Sequence, residues 1–309
     1  MNIEDLRVTI GGVTFGHPIM GGAGWCKNQE HVDELVISTS SAVIVGSITK
    51  EFRLGNEAPN YDSNPERTLN SFGMPNLGME SYLYTFDEWR KSAHSAEEPK
   101  VLIANVAGFN ADEYAELASR FSSKCDVVEL NLGCPNVWGE DKKQEPIPSF
   151  HPEIIEKILS RLTDQFSGDP KSSDRSRFWV KLSPYSDPGM IEEVAKVIGQ
   201  FDIVDAICTS NTFPMGFATD KGKQVLKNKF AGMSGPPLLA MGPGIVAKFR
   251  ECLPDRISII GIGGIENGEH VVRYMDAGAV AVQVTSALMK NGPQAIATIV
   301  REYFELLEA

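Results

Sequence analysis

Eight continuous apolar runs constrain this chain more than any other feature: residues 18–22, 42–48, 101–106, 127–132, 178–182, 204–209, 257–262 and 280–284. Between them lie segments whose apolar positions recur at three and four, such as ADEYAELASRF over 111–121, IEEVAKVI over 191–198 and AIATIVREYFELL over 295–307. Unbroken apolarity marks strands covered on both faces, and strand–helix alternation repeated eight times predicts an α/β fold, a parallel (β/α)8 TIM barrel. RVTIGGVTF over 7–15 alternates around Gly11-Gly12 and reads as an N-terminal β-hairpin that lids the bottom of the barrel. Two gaps, 49–99 and 213–235, exceed a simple crossover and are expected to be long functional loops at the C-terminal face. No composition shift marks a linker, so residues 1–309 are expected to form one domain.

Bulk properties exclude several function classes. A net charge of −12 without clustered Lys and Arg argues against nucleic acid and against anionic membranes. The five cysteines are widely spaced, with no C-x-x-C pair, which argues against a disulfide framework or a metal or cluster site and fits a reducing cytoplasm. The chain opens on polar residues, and no run of about 18 apolar residues occurs, so neither a leader nor a membrane span is expected.

Polar residues fall where each predicted strand stops: 21–27, 46–49, Asn105, 131–136, Lys181, 210–212, 261–264 and 285–286. In this barrel class those ends share one face, so distant segments converge on one pocket. Taken singly, an Asn or Gly there is a turn or cap. Gly263-Gly264 after the seventh strand and Thr285-Ser286 after the eighth together suit a phosphate, offering backbone N–H groups and hydroxyls. Lys181 interrupts the apolar FWVKL; it either snorkels out or faces an anion such as a reduced flavin. Asn131 and Asn136 are able to bond a planar ligand with imide or carboxylate groups. Cys134 between them is either a small buried filler or a proton-transfer group; its Gly, Pro and Asn neighbours favour the second.

LNSFGMPNLG over 69–78, NLGCPN over 131–136, VKLSP over 180–184, SNT over 210–212, GIGGIENG over 261–268 and QVTSA over 283–287 occur in the order found in the dihydroorotate dehydrogenases, and the chain resembles the class 1 members of that family over nearly its whole length. The resemblance implies an FMN-dependent oxidation of dihydroorotate to orotate in pyrimidine biosynthesis, with Cys134 as the base. It implies substrate contacts from Asn70, Asn131, Asn136 and Asn211, and FMN contacts from Ala23, Gly24, Asn105, Asn131, Lys181, Thr212, Gly235, Gly263, Gly264, Thr285 and Ser286. It implies a cytoplasmic homodimer whose electron acceptor is soluble, such as fumarate, or is a partner subunit carrying FAD and an iron–sulfur cluster.

Three positions depart from the class 1 pattern. Gly46 stands where class 1 has a lysine touching flavin and substrate, Phe72 replaces a Met, and Trp138 replaces a Pro beyond the cysteine. Lys27, after the first strand as in class 2, is a candidate substrate-binding replacement or else a solvated lysine at a helix start. The alternative substrates are other cyclic or acidic unsaturated compounds on the same scaffold. A flavin-free barrel lyase or isomerase using the phosphate site is the reading from another class, and a non-catalytic binding protein leaves Cys134 without a task.

Overall fold

The computed structural model describes residues 6–135, 146–166, 168 and 176–309. The hairpin forms from β1 (Val8–Ile10) and β2 (Val13–Phe15), turning on Gly11 and Gly12 at φ of 57° and 87°, which glycine adopts without steric cost. Ile10 and Phe15 are fully buried, and Phe15 packs against Trp179 at 5.7 Å between ring centroids, so the hairpin plugs the barrel interior as expected.

The chain continues through β3 (Ile19–Gly21), β4 (Ala42–Ile48), β5 (Tyr61–Ser63), β6 (Thr68–Asn70), β7 (Val101–Val106), β8 (Val127–Asn131), β9 (Phe178–Leu182) and β10 (Val204–Thr209). It ends through β11 (Phe213–Gly216), β12 (Thr219–Asp220), β13 (Lys223–Gln224), β14 (Ala231–Ser234), β15 (Ser258–Ile262) and β16 (Ala281–Val284). Eight of these are the predicted barrel strands, all parallel, in the order β3-β16-β15-β10-β9-β8-β7-β4. The seam between β3 and β4 is drawn shut by a parallel bridge of Cys26 with Val45 and by Ser41 N–H donating to the Ile19 carbonyl at 3.2 Å. Helices cover the outer faces of the strands, burying residues such as Phe86, Phe121 and Phe249 in the layer between. Among the described residues, no helix is long and apolar enough to cross a membrane.

Several helix starts are set by local chemistry. Asn28, Asn110 and Asn267 each accept from the backbone N–H three residues on, at 2.9–3.0 Å, satisfying a donor the helix leaves orphaned. The cap at Asn28 also fixes the chain direction immediately after Lys27.

The two long gaps differ from the expected loops. They fold onto each other as a four-stranded antiparallel sheet, β11-β14-β6-β5, with Asn70 opposite Gly232 on one side and Tyr61 on the other. These short strands carry no apolar run because their outer face is solvated, and their partners lie far apart in sequence. A helix over Met79–His94 completes the first of the two gaps.

Candidate active site

The C-terminal strand ends surround a pocket with about 1060 Å³ of empty space, its open mouth included. Ala23, Gly24 and Lys27 enter from the turn after β3, Asn131 and Cys134 from β8 and its loop, and Lys181 from β9. Asn211 and Thr212 follow β10; Gly263 and Gly264 follow β15; Thr285 and Ser286 follow β16; Asn70 comes from β6. Two expected residues stand outside the lining. Asn105 is fully buried behind the wall, and Gly235 caps the short helix Pro236–Leu239 beside the lining residue Ser234. Asn136 and Trp138 lie outside the described residues.

Asn131 ties the site together. Its Nδ2 donates to Ser47 Oγ at 2.7 Å, while its Oδ1 accepts from Asn211 Nδ2 at 2.9 Å and from the Gly133 N–H at 3.2 Å. Its carbonyl accepts from the Tyr114 hydroxyl at 2.7 Å, so the end of β8 is held from β4, from the segment after β10 and from a helix at once. Asn211 Oδ1 accepts in turn from Thr212 N–H at 2.7 Å. An amide network of this kind holds side chains in fixed orientation, which a site must do to bind a planar ring edge-on.

Cys134 is half-buried against Met74 and Ala107 and is the cysteine that lines the pocket. Burial drives the thiols of Cys26 and Cys208 well above the usual range and that of Cys125 up to about 12, so those three stay protonated at neutral pH. Lys27 donates to the Pro75 carbonyl at 2.8 Å. Burial holds its ammonium down to about 8, and the Cys134 and Cys26 sulfurs pull the other way, which places Lys27 within electrostatic reach of Cys134. Gly46 admits no lysine: a Cβ there would lie 2.2 Å from the Asn105 carbonyl oxygen, and its φ is 134°.

Phe72 stacks on Tyr61 at 5.6 Å with planes 9° apart, forming an aromatic wall next to Asn70. Lys181, only 4% exposed, donates to Gln283 Oε1 at 3.3 Å. Ser47, Tyr61, Thr68, Glu129 and Gln283 contribute to the site or its floor without having been assigned a role from sequence. For Glu129 and Gln283 a signal existed, the one that singled out Lys181: an ionic or amide side chain inside an apolar strand.

Three features bear on a flavin. Gly24, at φ 111°, has nothing within 4 Å of where a Cβ would sit, so its backbone faces open pocket. The buried Thr212 hydroxyl has no hydrogen-bond partner among the described residues. Tyr274 donates to the Gly263 carbonyl at 2.7 Å and thereby fixes the Gly263-Gly264 turn. Among the described residues no cluster of three metal-ligating side chains occurs.

A family model described as Dihydroorotate dehydrogenase matches residues 5–307. A protein of Trypanosoma brucei brucei named Dihydroorotate dehydrogenase (fumarate) is 30% identical over 98% of this chain and 94% of its own length. One of Lactococcus lactis subsp. lactis, named Dihydroorotate dehydrogenase A (fumarate), is also 30% identical, over 98% of this chain and 94% of that one. The crystal structure of DHODH in complex with ferulenol from Eimeria tenella superposes with a TM-score of 0.83, covering 99% of this chain and 85% of that one, and at 23% identity it speaks for the fold. With a family model spanning nearly every residue and relatives of this identity over nearly the whole length, the chain belongs to the dihydroorotate dehydrogenase family.

Proposed function

We propose that this protein is an FMN-dependent enzyme that oxidises dihydroorotate to orotate and passes the electrons to fumarate. The observation that carries the reading is the convergence, in one pocket, of a half-buried thiol, three asparagine amides, two lysines and two glycine-rich or hydroxyl-bearing turns from different strand ends. The residues suit FMN. Gly263, Gly264, Thr285 and Ser286 would hold its phosphate, with Gly235 alongside, while Ala23, Gly24, Thr212 and Lys181 would border the ring system. When bound, the flavin supplies a two-electron acceptor for the hydride that leaves the substrate.

The chain's own residues do the rest. Cys134, as the thiolate, takes the proton alpha to the substrate carbonyl onto sulfur while the neighbouring carbon gives up its hydride, leaving the ring double bond of orotate. Asn70, Asn131 and Asn211 donate to and accept from the imide and carboxylate edges, and Asn136 would add a fourth amide by its place in the motif. Lys27 would pair with the substrate carboxylate, the task for which position 46 has no side chain. By the same reading the protein is one FMN-binding domain that acts as a cytoplasmic homodimer.

The test is an anaerobic visible spectrum of the purified protein before and after dihydroorotate. Wild type is expected to show a bound flavin band that bleaches; Cys134→Ala is expected to keep the band and to bleach at least about 100-fold more slowly. A yellow protein that does not bleach would overturn the substrate, and a colourless protein that flavin does not stabilise would overturn the cofactor.

A further inference from the structure

Glu129 lies in β8 with no exposed surface, its carboxylate turned into the barrel. Asn105 Nδ2 from β7 donates to Oε1 at 2.6 Å, Gln283 Nε2 from β16 donates to Oε2 at 2.5 Å, and the Cys208 thiol from β10 donates to Oε2 at 3.1 Å. Among the described residues no cation forms an ion pair with it. A lysine only donates, so the contact from Lys181 Nζ to Gln283 Oε1 fixes which way the Gln283 amide points and turns its N–H toward Glu129. Burial and the adjacent carboxylate keep the Cys208 thiol protonated, hence a donor as well. Three donors aimed at one buried carboxyl are the environment of an ionised carboxylate, its charge met by dipoles and, one amide away, by the Lys181 ammonium.

We propose that Glu129 is a positioning residue that sets the reduction potential of the bound flavin through Gln283 and Lys181. Both Lys181 and Gln283 line the pocket, whereas Glu129 lies behind them. A reduced flavin gains negative charge. The Lys181 ammonium favours that charge and the Glu129 carboxylate opposes it, in a dry interior where charges act at long range. Gln283 couples the two, so Glu129 holds down the affinity for electrons that Lys181 would otherwise raise and keeps them transferable to an acceptor. The inference rests on reading the pocket as a flavin site.

The experiment is a spectroelectrochemical titration of the flavin-loaded protein. Glu129→Gln removes the charge and keeps the volume, and Asn105, whose Oδ1 has no partner among the described residues, is able to turn that oxygen onto the new amide. Its midpoint is expected to rise by about 30 mV or more, an approximately tenfold shift in the two-electron equilibrium. Glu129→Asp, which keeps the charge, is expected to stay at the wild-type midpoint. Cys208→Ala withdraws one donor from the carboxylate and is expected to move the midpoint downward; it decides the matter alone if Glu129→Gln does not fold. Unmoved midpoints in Glu129→Gln and Cys208→Ala would overturn the proposal, as would equal shifts in Glu129→Gln and Glu129→Asp, the mark of a merely structural role. A protein that never holds flavin fails the cofactor reading instead, while a yellow protein of unmoved potential fails only this one.

Discussion

At the scale of single residues, the absence of a side chain at position 46 has a steric counterpart in the structure. The backbone at Gly46 runs against the Asn105 carbonyl, so no side chain fits there, and the ammonium within electrostatic reach of Cys134 is that of Lys27, on the turn after the neighbouring strand. Its proton affinity makes a pH prediction. Burial lowers it to about 8, so Lys27 is charged below that pH and neutral above it. An anionic substrate is attracted only by the charged form, and the KM for dihydroorotate is expected to rise as pH increases through about 8. Lys27→Met is expected to raise KM at pH 7 by about tenfold or more, the worth of a charge-assisted hydrogen bond, and to flatten this pH dependence while flavin stays bound. Steady-state kinetics with flavin content determined in parallel checks both; an unchanged KM would leave Lys27 a structural role, its bond to the Pro75 carbonyl.

At the scale of elements, the turn after β15 shows how a strand end is made rigid. Tyr274, on the helix Gly268–Asp276, packs against β15, where a Cβ at Gly261 would come within 2.3 Å of its ring. Its hydroxyl reaches over to hold the Gly263 carbonyl. Gly261 is therefore a packing glycine, and the turn beyond it inherits its position from the helix. Gly261→Ala is expected to destabilise the fold by about 1–3 kcal/mol through overpacking and to weaken flavin retention, because Tyr274 must move. Denaturant midpoints and flavin content after dialysis measure the two effects. The antiparallel sheet makes a contrasting case: Asn70 owes its place in the pocket to pairing with Tyr61 and Gly232, contacts that no local pattern announces.

At the scale of the molecule, the pocket draws on β3, β8, β9, β10, β15 and β16, so a ligand bound there spans most of the barrel and links its binding to global unfolding. FMN at about 100 times its Kd is expected to add about 2.7 kcal/mol to stability and to raise Tm by about 5 °C. Differential scanning calorimetry of apo and loaded protein tests this, and an unshifted Tm would mean that the ligand does not engage the barrel. The barrel itself was legible in the chain, strand by strand, because burial on both faces and the end of a strand are local properties written as apolar runs and the polar residues that stop them. For the same reason Cys134, Lys181 and the glycine turns could be named beforehand. The small sheet, the Tyr61–Phe72 wall and the meeting of Glu129 with Gln283, 154 residues apart, were decided only by tertiary structure. Each is a contact between segments whose separate sequences carry half of the information, and only the closed barrel brings the halves together.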